Sequence, residues 1–127
     1  MNPGNNTPSL LIIDDNISSC MLVNEVLDDT GINIIETEYG REALKLFTSH
    51  SGDIFLVLLD LCLPDYDGFD LLTKLRAIGP KVPVVAFTAM SAGLVETRCR
   101  ESGFDDIVYK PFDLTQFKEK VLSYLNK

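Results

Sequence analysis

Four apolar runs, each ending in a short polar motif, constrain this chain more than any other feature. Leu10 to Ile13 runs into Asp14-Asp15, Ile54 to Leu59 into Asp60, Val82 to Phe87 into Thr88-Ala89, and Ile107 to Tyr109 into Lys110-Pro111. Continuous apolar runs of this length mark strands of a parallel sheet, apolar on both sides because helices cover both faces. In open parallel sheets ligands bind outside the carboxyl ends of the strands. The four motifs are therefore expected to converge on one crevice, to which they bring carboxylates, a hydroxyl and a lysine.

Between the runs the pattern alternates between strand and helix as five βα units. The first strand, Leu10 to Asp14, leads into a helix from about Asn16 to Asp29 with an inward stripe of Leu22, Val23, Val26 and Leu27, ended by Gly31. Asn33 to Glu38 makes a weaker second strand, followed past Gly40 by a helix carrying Ala43, Leu44 and Phe47. Asp53 opens the third strand, and Leu63 to Gly68 reads as a loop before a helix whose Leu71, Leu72 and Leu75 face inward. The fourth strand runs from Val82 to Thr88, with Pro83 near its start. The helix after it, about Ser91 to Ser102, is poor in apolar residues and so expected to dock less firmly. Asp106 to Lys110 is the fifth strand, and Asp113 caps a last helix striped by Leu114, Phe117, Val121 and Leu125. Alternating strands and helices call for a parallel sheet with right-handed crossovers.

With 127 residues, 46% of them hydrophobic, the chain has material for one core and no room for a second domain. A net charge of -8 excludes a nucleic-acid surface on this chain, which would need clustered Lys and Arg, and favours a divalent cation or a basic protein partner. No apolar run is long enough to cross a membrane, and residues 1–8 read as a polar, flexible tail without a signal-peptide core. A cytoplasmic location is the expectation. The cysteines, Cys20, Cys62 and Cys99, are odd in number and lack CxxC spacing, so reduced thiols are expected. Lone His50 reads as a solvated loop histidine, and Lys118, Glu119 and Lys120 as the solvent face of the last helix.

Asp14 and Asp15 offer the hard oxygen ligands that Mg²⁺ selects, and Asp60 would arrive beside them as a third carboxylate. Three converging acids repel one another, and a divalent cation relieves the repulsion. Lys110 can pair with Asp60 at rest or with an anionic ligand, while Thr88 offers a hydroxyl and small Ala89 leaves space. A carboxylate can attack a phosphoryl donor to give an aspartyl phosphate, its equatorial oxygens neutralised by metal and lysine. Each motif alone could be an ordinary turn or cap. Four at matching strand ends favour the chemical reading.

These motifs resemble the receiver domain of two-component response regulators. The resemblance rests on Leu-Ile-Ile-Asp-Asp-Asn, Leu-Leu-Asp-Leu-x-Leu-Pro-x-x-Asp-Gly, Phe-Thr-Ala and Tyr-Lys-Pro-Phe, and it covers residues 9 to 126. It implies a tail of residues 1–8, a receiver domain of residues 9–127, and a three-layer flavodoxin-like sandwich whose five-stranded sheet has the order 2-1-3-4-5. Asp60 would accept phosphate from a histidine kinase or histidine phosphotransfer protein, with Asp14, Asp15, Asp60 and the Cys62 carbonyl around Mg²⁺, and Thr88 and Lys110 on the phosphoryl oxygens. The Lys110–Pro111 bond would be cis. Partners would be proteins rather than membranes or nucleic acid, a phosphorylation-dependent dimer among them. The fourth helix, fifth strand and last helix would form the output face.

Three positions depart from the family pattern. The aromatic residue the family often has three places before the lysine is Ile107 here, and strand alternation is taken to turn Tyr109 to the other side. Cys62 and Met90 hold positions that tune phosphoryl lifetime in the family, and neither orients water well, so a slowly hydrolysed phosphate is expected. Two alternatives remain. One is a haloacid-dehalogenase-type hydrolase, whose general-acid aspartate would fall where Cys62 stands. The other is a receiver excised from a hybrid sensor kinase. A pseudo-receiver that binds without phosphorylation would typically lack one of the acids or the lysine, and all are present.

Overall fold

The computed structural model describes residues 7–90 and 93–126. Ten elements alternate along the chain: β1 (Ser9–Ile13), α1 (Ile17–Val26), β2 (Asn33–Thr37), α2 (Gly40–Ser49), β3 (Ile54–Leu59), α3 (Gly68–Ile78), β4 (Val84–Thr88), α4 (Leu94–Ser102), β5 (Asp106–Tyr109) and α5 (Leu114–Leu125). The strands form one parallel sheet in the order β2-β1-β3-β4-β5, as the sequence pattern implied.

Two apolar layers sandwich the sheet. Alternate residues of the central strands feed each: Leu11, Ile13, Val57, Leu59 and Ala86 pack with α2, α3 and Cys99 of α4, whereas Leu10, Ile12, Leu58, Val85 and Phe87 pack with α1 and α5. Every residue of β1 is buried, because a central strand loses solvent on both faces at once.

The boundaries shift by small amounts with identifiable causes. Asn16 caps α1 from outside, its side chain accepting from the Ser19 N–H at 3.0 Å. The helix stops at Val26 rather than Asp29. Thr30 donates its hydroxyl to the Leu27 carbonyl at 2.6 Å and Gly31 takes a φ of 78°, so side-chain bonding there competes with further helix. β4 begins at Val84, although the Pro83 carbonyl already accepts from Val57 N–H at 3.0 Å. Pro8, expected in the loose tail, accepts from the Asn33 N–H at 2.9 Å. The tail's residues 1–6 and the helix start at Ser91 lie outside the described residues.

Two residues assigned to inward stripes face water instead. Leu22 is 40% exposed and Leu114, the first residue of α5, is 46% exposed. The buried line of α1 is Cys20, Val23 and Leu27, and Leu22 falls outside that arc. His50 is the C-cap of α2, its Nδ1 3.0 Å from the Leu46 carbonyl, and is half-buried rather than a free loop residue. Lys118 and Lys120 also do more than face solvent, pairing with Asp29 in the turn after α1 and with Asp106 of β5.

The loop from Leu61 to Asp67 is clamped at both ends. Asp65 accepts from the Gly40 and Arg41 N–H groups at 2.7 and 3.0 Å and thereby caps α2, whose own N-cap, Tyr39, contributes no side-chain bond. Asp67 caps α3 through the Phe69 N–H, and Gly68 donates to the Leu61 carbonyl at 2.9 Å. A Cβ on Gly68 would stand 2.6 Å from Leu61 Cα and 2.9 Å from the Asp60 carbonyl oxygen, whereas one on Gly40 would meet the Tyr66 side chain at 2.5 Å. Backbone yields less readily than a ring. Gly68→Ala is expected to cost about 2–3 kcal/mol and Gly40→Ala about 1 kcal/mol, measured by urea denaturation; the reverse order would contradict this packing.

Candidate functional site

Three strand ends are stitched together before any side chain is considered. Asp14 N–H donates to the Thr37 carbonyl at 3.0 Å, Asp60 N–H to the Ile13 carbonyl at 2.9 Å, and Lys110 N–H to the Thr88 carbonyl at 2.8 Å. Ladder bonding thus continues one residue past the strands and fixes where the polar side chains leave the sheet. They surround a crevice of about 380 Å³ lined by Asp15, Asn16, Asp60, Cys62, Thr88, Ala89, Met90 and Lys110.

Asp14, Asp15 and Asp60 bring carboxylate oxygens within 4.8 Å of one another. Their environments differ. Asp14 is buried, Asp15 exposed and Asp60 between the two. Lys110 Nζ lies 2.5 Å from Asp14 Oδ2 and 4.0 Å from Asp60 Oδ2. The expected pairing of the lysine with Asp60 is present at its outer limit, but the closer partner is Asp14, whose side chain has no exposed surface, because an unpaired buried charge would be far costlier. The Lys110 ammonium also stands 4.7 Å from the centre of the Phe87 ring. The Lys110–Pro111 bond is cis.

Asp60 presents its two oxygens unequally. Oδ1 accepts from the Cys62 N–H at 3.1 Å, while Oδ2 faces Lys110. Burial pushes its pKa from 3.8 up to about 6; the Cys62 N–H opposes the rise, Asp14 adds to it, and Lys110 counteracts it. Thr88 Oγ1 accepts from the Met90 N–H at 3.0 Å. This donor set suits a hard divalent cation: three carboxylates with one nearby ammonium leave negative charge uncompensated.

One placement overturns the sequence expectation. Tyr109 does not turn away from the side of Ile107, since residues two apart in a strand share a face. Ile107 packs with the α2–α4 layer, Val108 between them joins the opposite layer, and Tyr109 lines a cavity with Ile107, Glu96 and Arg100. The alternation itself, counted from Ile107, carries this signal.

A carboxylate whose pKa is raised in the folded state binds its proton more tightly folded than unfolded. Between pH 4 and 6 the folded protein carries the extra proton, so this contribution to stability falls as pH rises through that window. At pH 7, with a chelator present, Asp60→Asn is expected to be more stable than wild type by roughly 2–3 kcal/mol, with the gap closing below pH 4. Urea denaturation at both pH values checks it. A gap independent of pH would show that the Asp60 charge is not its source.

Comparison with known proteins bears on the family and the fold. The family model "Response regulator receiver domain" matches residues 10–122. The polar-differentiation response regulator DivK of Brucella ovis is 32% identical over 121 residues, covering 94% of this chain and 97% of the relative. A two-component response regulator from Clostridium difficile superposes with a TM-score of 0.83 at 30% identity, covering 94% of this chain and 97% of that one. The CheX-CheY-BeF3-Mg+2 complex from Borrelia burgdorferi contains a chain that superposes at 0.84 with 26% identity, covering 94% of this chain and 90% of that one. The family model over most of the chain, the relative's identity along its length and the shared fold show that this chain belongs to the response regulator receiver domains.

Proposed function

We propose that Asp60 is the phosphoacceptor of this receiver domain, taking a phosphoryl group from a phosphohistidine on a histidine kinase or histidine phosphotransfer protein. The observation that carries this reading is Asp60 Oδ2, turned toward the Lys110 ammonium in a crevice with two further carboxylates and the Thr88 hydroxyl. Oδ2 attacks phosphorus in line with the departing imidazole nitrogen; the P–N bond breaks, a P–O bond forms, and the nitrogen leaves with the electron pair. A pKa of about 6 leaves Asp60 ionised at pH 7 and more nucleophilic than an ordinary carboxylate. Lys110 and Thr88, which line the same crevice, would donate to the phosphoryl oxygens as charge develops there.

Asp14, Asp15, Asp60 and the Cys62 carbonyl would hold Mg²⁺, which supplies charge neutralisation for the transferring group. The mouth of the site supports a protein donor: Ile17 and Met21 of α1, 74% and 65% exposed, line a groove with Asp14 and Asp15, and exposed Met90 edges the crevice. An apolar rim around charged chemistry suits a helix that presents a histidine. Receivers within hybrid kinases would use the same surface. The hydrolase alternative gains nothing here, since Cys62 occupies the place of its general acid.

Incubation with a small phosphodonor and Mg²⁺ is expected to add one phosphate to the intact mass, with no addition in Asp60→Asn or in excess chelator. Persistence of the added mass in Asp60→Asn would reject the assignment. Cys62 and Met90 both border the crevice, and neither offers a strong hydrogen bond to an attacking water. Loss of phosphate is therefore expected to be slow, and the double variant Cys62→Asn/Met90→Glu to lose it about tenfold faster. Equal decay would show that these positions do not govern lifetime.

A further inference from the structure

The β3–α3 loop and the start of α2 border a cavity of about 480 Å³, larger than the phosphoacceptor crevice and lined by Tyr39, Arg41, Glu42, Lys45, Pro64 and Asp65. The phosphoryl chemistry makes no use of it. Its walls are held from two sides: Asp65 accepts from the Gly40 and Arg41 N–H groups, and the Tyr66 side chain presses on Gly40 where a Cβ would stand. A surface fixed in this way needs little reordering to bind.

The charges that line it are unequally committed. Asp65 is engaged by the two N–H groups; desolvation opposes them, but with the Arg41 charge nearby they hold its pKa below the ordinary carboxylate value, so it stays ionised in place. Glu42 accepts from the Thr37 hydroxyl. Arg41 and Lys45, one turn apart on α2, enter no ion pair and no side-chain hydrogen bond among the described residues. The acids are taken and the cations are not, so the cavity offers positive charge on a chain whose net charge is -8. Beside them Tyr39, 49% exposed, and exposed Pro64 add apolar surface. Tyrosine and arginine are among the residues that carry most of the binding energy at protein interfaces.

All six lining residues are exposed, so the cavity is an open groove, suited to a chain laid along it rather than to a small molecule that needs most of its surface covered. Tyr39 and Glu42 also border the groove beside the phosphoacceptor, whose other walls include Asp14, Asp15, Glu36 and Glu38. An anionic segment is repelled there and attracted to Arg41 and Lys45, which sets its position.

We propose that this groove docks an acidic segment of a protein partner, with carboxylates on Arg41 and Lys45 and a ring side chain against Tyr39 and Pro64. A guanidinium can hold a carboxylate at two points, and the lysine adds a second charge one turn on. The docking requires neither Mg²⁺ nor phosphate, so it stands apart from the phosphoacceptor assignment.

The probe is the peptide acetyl-Glu-Glu-Tyr-Glu-Glu-amide, titrated into the full chain without Mg²⁺ or phosphodonor and followed by backbone amide resonances. It is expected to shift the resonances of Tyr39, Arg41, Lys45 and Asp65, and to bind about tenfold more weakly to Arg41→Gln/Lys45→Gln and to wild type in high salt. Both replaced side chains are exposed, so thermal unfolding of the variant should match wild type, and the salt comparison needs no variant. The matching lysine peptide should leave these resonances in place. No shift around Arg41 and Lys45, or equal affinity in the variant and in high salt, would overturn the proposal. A lysine peptide held there as tightly would do the same. Inorganic phosphate or a nucleotide acting at lower concentration than the peptide would assign the groove to a small anion, and shifts on concentrating the protein alone would assign it to a second copy. Either result overturns the peptide occupant.

Discussion

The ion pair between Lys110 and Asp14 joins the ends of two strands that are not neighbours. β3 and β4 lie between β1 and β5, so the lysine reaches across both to meet a carboxylate with no exposed surface. A buried carboxylate without that partner would bear its full desolvation cost, and a lysine there without the acids would do the same. The pair therefore closes the crevice, holds the start of the β5–α5 connection against the sheet, and keeps the ammonium within 4.0 Å of Asp60. Its position against the Phe87 ring connects it to an aromatic cluster, since Phe87, Phe112 and Phe117 of α5 meet at centroid separations of 4.7 to 6.0 Å.

The opposite side of the site is held by loop geometry. Asp65 caps α2 and Asp67 caps α3, so the segment after Asp60 is tied to two helices by charged hydrogen bonds to backbone N–H groups. Rigid support of this kind lets Asp60 tolerate a raised pKa without moving to solvent. The β4–α4 side is different. Among its described side chains, α4 is anchored by buried Cys99 and by the Arg98 guanidinium 3.9 Å from the Phe69 ring centre, and its Arg100–Glu96 pair lies within the helix and ties it to no neighbour. One wall of the crevice is fixed and the other has fewer ties, which is the asymmetry a switch requires.

Much of this was legible in the residues. Apolar runs bounded by Asp14, Asp60, Thr88 and Lys110 define four strand ends, and β/α alternation allows few topologies. The family resemblance supplied the strand order, later found in the sheet. What went astray was local. Leu22 and Leu114 were assigned to the core because they are leucines near helical spacing, yet a helix buries only the arc the sheet leaves for it. Tyr109 was turned to the wrong face by counting from the lysine at the strand end rather than from Ile107 within the strand. The capping of α2 by Asp65 had no sequence signal, since the two partners are separated by a full βα unit.

The periodicity of burial, the places where the chain must turn, and the groups that end each strand all follow from side-chain chemistry a few residues at a time. The assembled fold alone settles which acid holds the lysine most closely, how the two oxygens of Asp60 divide between the Cys62 N–H and Lys110, and which tyrosine hydroxyl is buried without a hydrogen-bond partner among the described residues. Those outcomes depend on how much solvent each group retains once distant strands meet. Desolvation is a property of the assembled fold, and no local stretch of residues encodes it.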